Sequence, residues 1–236
     1  MIVFWRLVLA GLLTDYTFQP LKFYHWKMQR PAGKIVHLTL LFVLSLLLAW
    51  PYLNMVWFTL LGVQFKGVVT LVILTALHFL LDFIFEKDVT HKGSMPLVLK
   101  VTAHQALSFL AIFVMAPVVD LHVTKNIYPE KAVIVLVFLI LVMDFARRVI
   151  NTYECDFCGV PIDSKDESLM TTMQRIIFYL ICLIPGPVFI ILCPAWFAVS
   201  FYAAKQRILD LSNFSLYFGS AFAVACGIFV RIVLYL

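Results

Sequence analysis

Two polar couples interrupt stretches of otherwise continuous hydrophobicity: Asp15 with Gln19 in LLTDYTFQ, and His78 with Asp82 in ALHFLLDF. Residues four apart share a helical face, so each couple forms a preformed polar notch. An ionisable group at the centre of a bilayer costs about 2.5–3.5 kcal/mol or more, so such groups face a protein interior and mark a site. His37, His104 and Gln105 add two imidazoles and an amide on further apolar segments. That set suits three tasks: holding a divalent ion, relaying protons, or hydrogen-bonding one helix to another. In the first, His78, Asp82 and His104 bind a divalent metal such as zinc, Asp15 activates water, and Gln19 and Gln105 orient substrate.

A second constellation is Cys155 with Cys158 in CDFCG. It resembles half of a zinc knuckle, and four-coordinate zinc needs two more ligands. A second copy of the chain or a partner subunit would have to supply them. The acidic neighbours Glu154 and Asp156 argue against redox sensing. Cys182, Cys193 and Cys226 lie in apolar segments, where cysteine behaves as a small buried hydrophobe.

The elements that carry these residues follow from composition. The 236 residues are 63% hydrophobic and 13% charged, with mean hydropathy +0.99, whereas a soluble domain is about 25% charged. The chain reads as an all-α, polytopic transmembrane helical bundle of about seven spans, at about 20 apolar residues per span. They are drawn at Ile2 to Phe18, Ile35 to Trp50, Val68 to Phe85, Leu97 to Val119, Ala132 to Ala146, Ile176 to Tyr202 and Phe214 to Leu234. Met55 to Val63 is apolar but short, which suits a re-entrant or interfacial piece, or an extension of the second helix. The sixth segment is long and carries Pro185, Gly186 and Pro187 at its middle, so it is broken: a kinked span or a re-entrant hairpin. Residues 1–120 form an amino-terminal membrane domain with the intramembrane polar groups. Residues 121–236 form a carboxyl-terminal extension whose loop, 151–174, holds the cysteine pair. The first segment carries Arg6 and Asp15 and lacks a basic start, so it reads as a helix and not a signal peptide.

Lysine and arginine placement orients the chain. Lys22, Lys27, Arg30 and Lys34 follow the first span with no acid among them, and Arg147, Arg148, Lys165 and Arg175 follow the fifth. Both loops read as cytoplasmic, as does the one with Lys87 and Lys92, which leaves the amino terminus outside. The basic pI reflects this topology and contact with membrane lipid, not nucleic acid. No Walker loop, GxSxG, HExxH or dinucleotide fingerprint is present. Gly219, Ala223 and Gly227 form a stripe of small residues on the last helix that admits another backbone, either from this chain or from a partner.

LAGLLTDYTFQP, ALHFLLDF and VTAHQALSF, in that order, resemble the three motifs of the bacterial membrane family catalogued as domain of unknown function 3307. RIIFYLI, AAKQRI and SLYFGSAFAVACG resemble the extension of its longer members. Asp15, Gln19, His78, Asp82 and Gln105 fit the motifs. Gly11 and Ser108 stand where the motifs usually have His, and His104 where they have Asp. The resemblance implies a helical fold in a bacterial cytoplasmic membrane and brings no activity with it.

Three functions are consistent with the sequence. The first is a non-enzymatic scaffold or accessory subunit, in a homo-oligomer or a larger membrane complex; the missing family ligands and the small-residue stripe incline the reading this way. The second is a metal-dependent membrane hydrolase acting on a lipid-like substrate. The third is a proton-coupled transporter that uses the same residues.

Overall fold

In the computed structural model, residues 2–19, 23, 26, 27, 29–87, 95–117, 130–159, 169–206 and 212–235 are described. Lys22, Lys92 and Lys165, used above to orient the chain, lie outside them. Among the described residues the protein is all-α apart from one short hairpin. Four helices among the described residues are long and apolar enough to cross a membrane: Pro31–Tyr52, Gly67–Phe85, Leu97–Met115 and Asn213–Tyr235. The chain divides into two compact units, Met1–Val133 and Ile134–Leu236; the sequence had suggested a division after residue 120.

The amino-terminal unit is built on α1 (Ile2–Leu12), α2 (Pro31–Ala49), α3 (Gly67–Lys87) and α4 (Leu97–Met115). Helix α1 is apolar nearly all round, the pattern of a helix enclosed by others. Val3, Leu7, Val8, Ala10 and Leu12 are accordingly buried, and α1 packs on α2 and α4. Its one cation, Arg6, is buried yet partnered. It pairs with Glu130 Oε1 at 2.9 Å, donates to the Leu48 carbonyl at 3.0 Å, and lies over the Tyr52 ring. Leu48 is in the last turn of α2, where a helix leaves carbonyls without an internal partner.

Residues 55–63 do not continue α2. Strands β1 (Val56–Leu60) and β2 (Val63–Lys66) pair antiparallel around a two-residue turn. Aromatic and β-branched residues favour the pleat, and Leu61 (φ 50°) and Gly62 (φ 81°) adopt the doubly positive conformation that closes a twisted hairpin. Phe58 and Phe65 stack across it at 4.6 Å.

The carboxyl-terminal unit takes the rest of α5 (Glu130–Ile140), then α6 (Ala146–Cys158), α7 (Leu169–Leu183), α8 (Phe189–Lys205) and α9 (Asn213–Tyr235). The break between α7 and α8 coincides with Pro185, Gly186 and Pro187: the two prolines supply no N–H donor where a helix needs one, and Gly186 takes a positive φ of 80°. Arg231 of α9 satisfies the carbonyls this exposes. It donates to Cys182 O at 3.1 Å, to Gly186 O at 2.6 Å and to Ile184 O, while its guanidinium covers the Phe189 ring at 4.4 Å.

The small-residue stripe meets α7 of the same unit. A Cβ on Gly227 would fall 2.5 Å from Cys182 Cβ and 3.1 Å from Tyr179 O, and one on Gly219 3.1 Å from Arg175 Cδ. Gly227→Val is therefore expected to lower stability by about 1–3 kcal/mol through overpacking. Thermal unfolding in detergent checks it, with Ala225→Val on the exposed face of α9 as a control that leaves the midpoint unchanged.

Candidate metal centre

Asp15 sits in a π-turn, Leu13–Thr17, that continues α1. Such one-residue widenings of a helix recur at functional sites because they re-aim a side chain. The helix ends there: Phe18 N–H closes on Leu13 O, and Gln19 lies beyond it. Asp15 and Gln19 thus do not share an α-helical face, contrary to the sequence expectation, although Gln19 is buried. His78 and Asp82 do share one on α3, with Nε2 and Oδ1 3.8 Å apart. His37 enters from the second turn of α2 and His104 from the middle of α4.

These groups converge within the amino-terminal unit. His37 Nε2 and His78 Nε2 each lie 3.4 Å from Asp15 Oδ1. Across from them, Asp82 Oδ1 is 3.1 Å from His104 Nε2, and Asp82 Oδ2 is 3.5 Å from His37 Nε2. Two triads have donor atoms close enough to share an ion: Asp15, His37 and His78, and His78, Asp82 and His104.

Geometry separates the two. Donors at about 2.1 Å around a tetrahedral zinc ion stand about 3.4 Å from one another. The first triad shows that spacing on both Asp15 contacts, with the buried Nε2 atoms of His37 and His78 facing the same carboxylate oxygen. The second triad differs because His104 and Asp82 already stand at hydrogen-bond distance.

Comparison with family models, with curated proteins and with solved structures finds no match to this chain. The site is therefore argued from its own atoms.

Lys27, assigned from sequence to a solvated basic loop, lies inside instead. Its Nζ is 2.7 Å from Asp82 Oδ2, and the two side chains are 4% and 7% exposed. Gly33 makes this approach feasible. A Cβ there would stand 2.7 Å from Lys27 Cα and 2.8 Å from Trp26 O, so only glycine lets the backbone bearing Lys27 lie against the first turn of α2. No sequence signal separated this lysine from its basic neighbours.

The remaining predicted residues divide clearly. Gln105 is buried and accepts from the Tyr16 hydroxyl at 2.9 Å. Gly11 and Ser108 line one cavity together with Asp15, His78 and Gln105. Its volume of about 40 Å³ exceeds the roughly 10–15 Å³ that a water molecule requires. Cys155 and Cys158 stand on the last turn of α6, which Gly159 caps, and not in a loop. They belong to no group of three or more ligand side chains among the described residues.

Proposed function

We propose that the amino-terminal unit is a metal-dependent membrane hydrolase, with Asp15, His37 and His78 as ligands to one divalent ion of the zinc type. The observation that carries this reading is the pair of buried imidazole nitrogens facing one carboxylate oxygen at the edge length of a tetrahedral site. Three protein ligands leave a fourth position open, the arrangement of catalytic rather than structural zinc. A metal there would polarise a substrate oxygen or activate water. Asp82 and His104, hydrogen-bonded beside the ligands, are placed to accept and return a proton, and Lys27 holds the Asp82 carboxylate in position. Compared with the sequence reading, the ligand and base roles of Asp15 and Asp82 are exchanged.

Elemental analysis of the purified protein tests this. One equivalent of a divalent metal is expected in the wild type and its loss in His78→Ala and His37→Ala. A folded, metal-free wild type that also takes up none from added zinc would overturn the reading.

The Lys27–Asp82 pair favours a second function, proton-coupled transport, in which a charge-balanced cluster passes protons with no ion bound. Flux in proteoliposomes that is sensitive to Asp82→Asn in metal-free protein would select it. The resemblance of the motifs supports placement in the bacterial family and in a cytoplasmic membrane with the amino terminus outside. Helices α7 and α8, of 15 and 17 residues, are each shorter than the roughly 20 residues a span requires, which supports a hairpin over 176–202 within a bundle of about seven membrane segments.

A further inference from the structure

Two thiols from different helices meet beside the break between α7 and α8. Cys182 lies in the last turn of α7 and Cys193 in the second turn of α8. Both are free, and their sulfurs are 3.7 Å apart although eleven positions separate them along the chain. Their packing keeps them face to face. Helix α9 presses on Cys182 from one side: a Cβ on Gly227 would stand 2.5 Å from Cys182 Cβ and 3.2 Å from its Sγ, so only a bare backbone fits there. Arg231 holds the Cys182 carbonyl at 3.1 Å. Trp196, three residues beyond Cys193, donates its indole N–H to Gln174 O at 3.4 Å and ties α8 to α7. A disulfide sets its sulfurs about 2.05 Å apart, so the pair needs an approach of about 1.7 Å to close.

The surroundings select the oxidant. Residues 176–204 carry no charged side chain, and Val188, Ile190 and Ile191 near Cys193 are exposed apolar residues. Cys193 is half-buried and Cys182 buried, so an oxidant meets Cys193 first, on an apolar surface. A charged, strongly hydrated oxidant loses its solvation in such a place, whereas an apolar two-electron acceptor does not.

We propose that Cys182 and Cys193 form a thiol–disulfide couple oxidised by a lipid-soluble quinone. Both S–H bonds break and one S–S bond forms. The two electrons and two protons pass to the quinone oxygens, which gives a quinol. The disulfide closes a ring over residues 183–192, the stretch that holds Pro185, Gly186 and Pro187, and so adds a covalent tie where helix hydrogen bonds are missing. The couple does not depend on the metal centre of the amino-terminal unit.

The test uses the full-length protein with Cys155→Ala and Cys158→Ala, so that the α6 thiols consume no oxidant. It is reduced, freed of reductant and kept anaerobic in phosphatidylcholine vesicles. Decylubiquinone is added, because its ring carbons are all substituted and trap no thiol as a stable adduct. After acid quenching, denaturation and alkylation with N-ethylmaleimide, mass spectrometry is expected to find Cys182 joined to Cys193 and Cys226 alkylated. One quinol should form per link, and a reductant should restore alkylation at both positions. Cys193→Ser should form no quinol. Should the double alanine variant fail to fold, the wild type gives the same peptide readout. Full alkylation of Cys182 and Cys193 after quinone treatment overturns the proposal, as does a link from Cys182 to Cys226 in place of Cys193. Oxidised glutathione, the water-soluble comparison, is expected to join the pair more slowly than the quinone; a faster reaction with glutathione overturns the choice of a lipid-soluble acceptor.

Discussion

Lys27→Met alone is expected to destabilise the amino-terminal unit by about 3–5 kcal/mol, and Asp82→Leu by a similar amount, while the double variant regains most of the loss. The cause is asymmetric desolvation. Each ion is almost wholly buried, and the ammonium and carboxylate stand 2.7 Å apart, so removing either leaves the other charged in a poorly solvated place. Removing both leaves neither ion without its counter-charge, and the part of the loss not regained reflects the hydrogen bond that His104 made to Asp82. Denaturant titration in detergent, followed by tryptophan fluorescence, gives the three free energies. Additive single and double effects would show that the pair is not formed. Lys27→Met also has an electrostatic consequence: deleting a positive charge next to the centre should tighten cation binding, which a zinc titration of the folded variant reads directly.

The second large effect is expected at Arg231. Arg231→Leu should cost about 1.5–3 kcal/mol, the scale of hydrogen bonds to a charged group, because one guanidinium serves Cys182 O, Ile184 O and Gly186 O. Arg231→Lys should recover only part of the loss, since an ammonium cannot span three acceptors in the way a planar fork does. Protection of the Ile184–Val188 amides in hydrogen exchange is the local readout. A global loss of stability with unchanged protection there would place the role of Arg231 elsewhere.

Much of the site was legible because helical periodicity is local. His78 and Asp82 are four apart, and the structure sets them side by side. The class of the protein was legible too, since hydropathy over twenty residues needs no tertiary information. Lys27 was not legible, because its neighbours Lys22, Arg30 and Lys34 are explained equally well by lipid headgroups. Only the close approach permitted by Gly33 distinguishes it. Gln19 was misread because a regular helix was assumed through Thr17, and a π-turn has no sequence signature of its own. The hairpin at 56–66 was masked by its composition. Val, Trp, Phe and Leu suit a membrane segment and a strand alike, and the turn-forming pair Leu61-Gly62 is an uncommon choice for a hairpin.

The π-turn at Leu13–Thr17 is, in effect, a single inserted residue. Deleting one codon there would restore a plain α-helix and swing every later side chain by about 100°, leaving hydropathy and length nearly untouched. Descendants of one gene could thus hold or lose the Asp15 carboxylate through a change that composition-based comparison would scarcely register.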